Sequence, residues 1–289
     1  MKELLINKGY IPLDKSWIIR MGMLDLLNGY NDILNFLENQ KELGEDLQAL
    51  RSAIRDWKTN KPVNVSESGT LYRFLKFASW KLGLKKEFIL KGSLKNREIC
   101  DNPKIVSWPL KELLKLDNNT SQWASASVLL GNEEKIENPP YKLKLTYEAL
   151  EHWKTARRQG KTWEPRYDET ILKQALAFLD LIKKGKTDFK SEQAEDYCFA
   201  RAFNLMTKEQ GKELWPSLEG HESNRLEEME KAMHDFELGN MIDSKDHRVI
   251  QSIVMLGKAK NKEIKIIFRD CVNKSWPQFW KFIEDANNL

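Results

Sequence analysis

Residues 68–90 read SGTLYRFLKFASWKLGLKKEFIL. Leu71, Leu75, Ala78 and Leu82 recur at helical spacing on one face and Ser68 stands where an N-cap belongs, so this stretch predicts a helix over 68–82. The run Glu87–Leu90 then has the brevity and composition of a strand. A helix followed by a short apolar strand recurs along the chain in both directions, and the recurrence predicts a mixed α/β protein.

Toward the N-terminus, Ile19, Met23, Leu26, Leu27, Ile33 and Leu34 mark a helix from Ser16 to Leu37, broken near Asn28 and Gly29, with Ser16 as its cap. The polar, proline-containing stretch 56–67 follows it. Toward the C-terminus, Thr120–Leu130 reads as a short helix, Pro139-Pro140 closes the loop after it, and Tyr141–Leu145 reads as extended. The charged stretch 153–170, with Gly160 and Pro165, is the linker candidate. Ile171–Ile182 resumes an apolar run. Leu226, Met229, Met233 and Phe236 form a helical stripe stopped by Gly239, and Asp246 precedes a further apolar stretch, Val249–Leu256. Glu263–Arg269 alternates as a strand does, and Ser275 with Pro277 announces a last helix over Trp276–Asp285.

The 289 residues allow roughly two domains, and 41% hydrophobic with 31% charged residues is globular composition. A net charge of +4 over this length predicts no nucleic-acid partner by bulk attraction. No run approaches the length of a membrane span and the N-terminus lacks a signal-peptide pattern, so the reading is a cytoplasmic protein without a membrane partner. Cys100, Cys198 and Cys271 are too scattered for a disulfide framework or a zinc site, and no metal is expected. Nucleotide-loop, serine-hydrolase and zinc-hydrolase motifs are absent. His152 and His234 have no partner pattern and read as surface residues.

What the chain does carry is anion-binding equipment at helix starts. Lys15-Ser16 with Arg20, Ser68-Gly69-Thr70 with Arg73, Thr120-Ser121-Gln122, Asp246-His247-Arg248 and Lys274-Ser275 each put a cap or hydroxyl near free helix N–H groups, most beside a cation. Each alone reads as ordinary capping. His221-Glu222-Ser223-Asn224-Arg225 adds a carboxylate and a guanidinium three residues apart.

Taken in order, these clusters resemble the 5-enolpyruvylshikimate-3-phosphate synthase family. Pro12 through Arg20 resembles the family's P-x-(D/S)-K-S-x-x-x-R motif, and Ser68-Gly69-Thr70 with Arg73 its S-G-T-x-x-R segment. Thr120-Ser121-Gln122 resembles S-S-Q, Asn138-Pro139-Pro140-Tyr141 the substrate loop, and residues 221–225 K-E-S-D-R. Asp246-His247-Arg248 matches D-H-R, and Lys274 through Phe279 resembles K-S-(F/Y)-P-x-F.

The resemblance implies a two-domain enolpyruvyl transferase-like fold of repeated small α/β units that closes over its substrates, reduced here because the chain is short for the family. Residues 13–157 would be an inserted domain with the acceptor motifs; 1–12 plus 158–289 would carry the phosphoenolpyruvate motifs. The implied activity transfers the enolpyruvyl group of phosphoenolpyruvate to the 5-hydroxyl of shikimate 3-phosphate, a step of aromatic amino acid biosynthesis, in a monomer that uses no cofactor. Lys15, Gly69, Arg97, Arg225, Arg248 and Lys274 would grip phosphoenolpyruvate, with His221 and His247 beside it. Ser16, Arg20, Thr120, Ser121, Gln122, Asn138 and Tyr141 would hold shikimate 3-phosphate. Lys15 and Glu222 would move protons. The family sets an aspartate at a helix start to take the hydroxyl's proton, and the nearest carboxylate read from the sequence is Glu192, with Asp188 second. Three other readings stand beside this one: transfer to a different acceptor such as a UDP-sugar, binding of an anionic metabolite or a protein without turnover, and an unrelated α/β protein whose caps imitate the motifs.

Overall fold

The computed structural model describes the chain apart from residues 132–140, 162 and 220–223 and the side chains of Asn118, Asn119 and Tyr141. The protein is mixed α/β and mostly helical, and it divides into two compact units. Leu13–Arg166 makes an inserted unit; Met1–Pro12 and Tyr167–Leu289 together make a split unit. The chain passes between units at Arg166, inside the charged stretch expected to link domains.

In the inserted unit, helix α1 (Lys15–Leu27) is buried along Trp17–Leu26, as its nearly all-round apolar sequence requires of a central helix. Its cap is Asp14, not Ser16: the Asp14 carboxylate accepts from the Trp17 N–H at 3.0 Å. A carboxylate two residues earlier completes the first turn, so Ser16 lies inside the helix. Asp25, buried on α1, accepts from the Ile33 N–H at 3.0 Å, Trp153 Nε1 at 2.8 Å and Arg157 at 2.7 Å. Gly29 takes a left-handed φ of 77° at the predicted break.

Helix α2 (Glu45–Trp57) leads to strand β1 (Val63–Ser66), helix α3 (Gly69–Lys81) and strand β2 (Phe88–Leu90). β1 and β2 pair in parallel, Val63 opposite Phe88, with an irregularity between Asn64 and Ser66. β1 lies in the stretch read as a polar spacer: Val63 and Val65 point inward and Asn64 and Ser66 half outward, an alternation only four residues long. Helices α4 (Gln122–Leu129) and α5 (Tyr141–Arg158) complete the unit's larger elements. α5 overturns the extended reading of 141–145, because Leu143, Thr146 and Ala149 are buried at helical spacing.

The split unit contains helices α6 (Glu169–Lys184), α7 (Tyr197–Ala202) and α8 (Arg225–Leu238), strand β3 (Met241–Ile242), helix α9 (His247–Ala259), strand β4 (Lys265–Ile266) and helix α10 (Phe279–Asp285). β3 and β4 also pair in parallel. The alternation at 263–269 yields only two paired residues, and the last helix starts at Phe279, three residues later than its proline suggests. Gly239 ends α8 in the left-handed conformation, as the stripe predicts. Residues 1–12 are held by the Trp276 Nε1–H, which donates to the Tyr10 carbonyl at 2.6 Å, and by the Tyr10 hydroxyl, which donates to Asp285 at 2.6 Å. Trp276, Phe178, Phe199, Phe279 and Phe282 fill the core. Among the described residues, no helix is long and apolar enough to cross a membrane.

Gly211, in the helix Lys208–Leu214, faces the buried ring of Tyr197, and a β-carbon there would overlap that ring. A ring wedged in a closed core cannot swing aside as a flexible chain end would. Gly211→Ala is therefore expected to cost about 1–3 kcal/mol of unfolding free energy, measured by denaturant titration; an unchanged midpoint would show that the ring moves freely.

Candidate functional site

Each unit contains one parallel strand–helix–strand turn, and the linking helix begins at the carboxyl end of the first strand. That end, with its free N–H groups, is where open α/β folds receive ligands. The inserted unit sets α3 there, and the split unit sets α9.

At the start of α3, a β-carbon on Gly69 would stand 2.9 Å from Arg73 Nη1 and 3.3 Å from Arg97 Nη1. Glycine thus lets two guanidinium groups come onto the helix terminus. Arg73 Nε donates to Asp117 at 2.6 Å and its Nη1 to Gln122 Oε1 at 2.8 Å, while Gln122 Nε2 donates to the Thr70 hydroxyl at 2.8 Å. Asp117 also accepts from Trp123 Nε1 and the Cys100 N–H, both at 2.9 Å. The Arg73 and Asp117 side chains are only 7% and 6% exposed, so this pair is a fixed part of the floor. Gly69, Arg97 and Gln122, picked from sequence, do meet here. Thr120 and Ser121 lead into α4, the Gln122 N–H lying 3.4 Å from the Thr120 hydroxyl, and Arg97 donates to the Ser93 hydroxyl at 3.1 Å.

Nearby in the same unit, Lys15 pairs with Asp46 at 2.7 Å. Arg20 is buried, donating from Nε to the Thr146 hydroxyl at 2.8 Å and from Nη1 to the Ser16 carbonyl at 2.7 Å. Thr146 passes its own proton to Ser125 at 2.8 Å, and the guanidinium lies 5.6 Å from the Phe74 ring. Burial lowers the Arg20 pKa to about 10, with Asp14 opposing. Both hydrogen-bond acceptors are neutral, which leaves positive charge for an anion to meet.

In the split unit, Asp246 caps α9. Its carboxylate accepts from the Arg248 N–H at 2.9 Å and from Arg225 Nε at 2.8 Å, so one side chain joins the starts of α8 and α9. Ser244 accepts from the Asp246 N–H at 3.1 Å and donates to Glu228 at 2.5 Å. The buried Cys198 thiol is pushed up by burial and by Asp246, while Arg225 and Arg248 act the other way. Lys274 ends a short 3-10 helix, and Gln251 of α9 donates to the adjoining Ser275 at 3.1 Å. His247 is buried at the head of α9.

The two carboxylates near α7 differ sharply. Glu192 is 63% exposed and ion-paired with Lys173, which holds its carboxyl below the usual range. Asp196, at the start of α7, is buried; it accepts from Gln174 Nε2 at 3.1 Å and from the Glu192 N–H at 3.0 Å. Burial raises its pKa, and these hydrogen bonds and the charge of Arg248 oppose the rise. Asp196 is thus the desolvated carboxylate of the two, and the charge of Arg248 acts on it. The sequence did offer a signal for it, an acid directly before the apolar run Tyr197–Ala200.

Asn138, His221, Glu222 and the side chain of Tyr141 lie outside the described residues. Among those described, no three His, Cys, Asp or Glu side chains gather as metal ligands. No family model, curated protein or solved structure matches the chain.

A carboxyl whose folded pKa is raised binds its proton more tightly in the folded state, so its contribution to stability is lost as pH rises through that folded value. Replacing the carboxyl in Asp196→Asn removes this loss. Relative to the variant, the wild type is expected to lose unfolding free energy as pH rises from the ordinary carboxyl range through the raised folded value of Asp196. Parallel denaturant titrations check this, and a difference that grows in the wild type's favour would contradict the raised pKa.

Proposed function

We propose that the chain is a shortened enolpyruvyl transferase, moving the enolpyruvyl group of phosphoenolpyruvate to the 5-hydroxyl of shikimate 3-phosphate. The observation that carries this reading is Asp196: the motif order calls for an aspartate at a helix start, and Asp196 is a buried carboxylate at such a start, acted on by Arg248. One parallel strand–helix–strand turn in each unit, its helix opening with a motif, supports the two-domain enolpyruvyl transferase-like fold.

On this reading the phosphoenolpyruvate contacts of the split unit are Arg225, Arg248 and Lys274, with His247 at the head of α9, and those of the inserted unit are Lys15, Gly69 and Arg97. Arg20, Ser16, Thr120, Ser121 and Gln122 take the acceptor's phosphate and hydroxyls. The split unit's Asp196 is the base for the proton of the 5-hydroxyl, whose oxygen bonds to C2, and the inserted unit's Lys15 is the acid that gives C3 its proton and later takes one back. Loss of a C3 proton and cleavage of the C2–O bond to phosphate then give the enol ether and inorganic phosphate. Placed cations stabilise the shifting charge, and positioning removes much of the entropic barrier. Glu192, exposed and paired with Lys173, has no part in this step.

Binding without turnover is the second reading, and the Lys15–Asp46 pair at 2.7 Å favours it, since an ammonium group engaged by that carboxylate is not free to give C3 its proton. A phosphate-release assay separates the two. Release from phosphoenolpyruvate is expected only with shikimate 3-phosphate present. Asp196→Asn is expected to lower kcat by about 10²–10⁴-fold and Glu192→Gln to leave it within about twofold. Calorimetric binding of either substrate with no release selects the second reading; neither binding nor release rejects both.

A further inference from the structure

The pole of the inserted unit opposite Gly69 carries charge of a different kind. Lys58, Lys61, Lys81, Lys85 and Lys86 against Glu87 alone, in the stretches 58–61 and 81–87, give this pole +4, as much as the whole chain's net charge. Because α3 runs back from the carboxyl end of β1, its last turn, the loop into β2 and the turn before β1 all lie at the amino ends of the strands. Contacts bind them together: Lys86 Nζ donates to the Thr59 carbonyl at 2.6 Å and lies 5.6 Å from the Trp57 ring, and the Val63 N–H donates to the Glu87 carbonyl at 2.8 Å. Lys61, Lys81 and Lys85 are exposed and, among the described residues, stand in no ion pair. Between them Leu82 is 51% and Leu84 39% exposed.

The corresponding turn of the split unit is also lysine-rich, but there Lys260 pairs with Glu237 at 3.1 Å, and Lys262 donates to the Phe236 and Glu237 carbonyls at 2.6 and 3.0 Å. At the inserted unit's pole Lys61, Lys81 and Lys85 are left to solvent. Leucines ringed by lysines suit an anionic lipid surface, where the ammonium groups meet headgroups and the leucines enter the acyl boundary. Nucleic acid is the poorer occupant, because lysines serve its phosphates equally but its bases stack on aromatic rings, and the large apolar residues exposed here are Leu82 and Leu84.

We propose that this pole, formed by Lys61, Lys81, Leu82, Leu84, Lys85 and Lys86, seats the protein peripherally on a membrane rich in acidic phospholipid. The inference replaces the expectation of no membrane partner, which rested on the lack of a membrane-spanning run and of a signal-peptide pattern, and it is independent of the transferase reading. Vesicle co-sedimentation of the full chain tests it. Vesicles with about 30% phosphatidylserine are expected to bind and pure phosphatidylcholine vesicles to bind at least tenfold more weakly, the difference shrinking at high salt. Each lysine reversed should weaken binding about fivefold or more, so K61E/K81E/K85E is expected to lose over a hundredfold. L82S/L84S should bind more weakly while keeping the salt dependence. Both variants change exposed side chains, and matching circular dichroism and unfolding midpoints confirm their fold. Equal binding by the charge-reversed variant, no preference for phosphatidylserine, or displacement from vesicles by equimolar single-stranded RNA overturns the proposal.

Discussion

Parallel strands cannot be joined by a tight turn. After the first strand the chain has to travel back before the second can begin, and a helix is the compact way to do so. The protein meets this constraint once in each unit, with α3 and with α9. Paired over two or three residues, the strands contribute few ladder hydrogen bonds, so their geometry depends on the helix packed against them and on the aromatic and aliphatic core behind it. The same constraint fixes chemistry. The linking helix must open at the carboxyl end of the first strand, and its free N–H groups gather there with whatever side chains the first turn carries.

Those side chains are strongly cationic, and carboxylates hold most of them. Arg73 is fixed by Asp117, Arg225 by Asp246 and Lys15 by Asp46. Removing one partner of such a buried pair leaves an uncompensated charge, so each pair sets the position of its cation more than it adds net stability. Asp246 does more than its counterparts, because the same carboxylate caps α9 and orients Arg225 at the head of α8. Arg20 is the contrast. Its hydrogen bonds reach a hydroxyl and a carbonyl, and burial lowers its pKa.

Legibility followed the length of the periodic signal. α3, α8 and α9 were plain in the sequence because stripes such as Leu226, Met229 and Phe236 span several turns before a stop. β1 was not, because an alternation of four residues beside Pro62 is indistinguishable from a polar turn until a second strand pairs with it. Tyr141–Leu145 shows the reverse error: five residues alternate in polarity, and only Ala149, further along, reveals the helical period. At the sites, residue types that converge through their own helix start were legible, such as Gly69 and Asp246. Asp117 was not, because it reaches Arg73 from 44 residues away through a backbone with φ of 47°.

Asp196 was hidden for a subtler reason. The helix start was sought at the first carboxylate after Lys190, but a 3-10 turn over Ala194–Asp196 intervenes, so Glu192 falls outside and Asp196 opens the helix proper. Environment then separates two acids four residues apart. Glu192 faces solvent and a lysine, which favour its ionised form; Asp196 faces burial, which disfavours it, and an arginine and three donated hydrogen bonds, which limit the rise. Burial strengthens the hold of Asp196 on a proton, and the donated hydrogen bonds and the charge of Arg248 weaken it. The balance rests on Gln174, which donates to one oxygen of Asp196, and on the Glu192 backbone, which donates to the other. The residue first read as the acid contributes through its N–H instead.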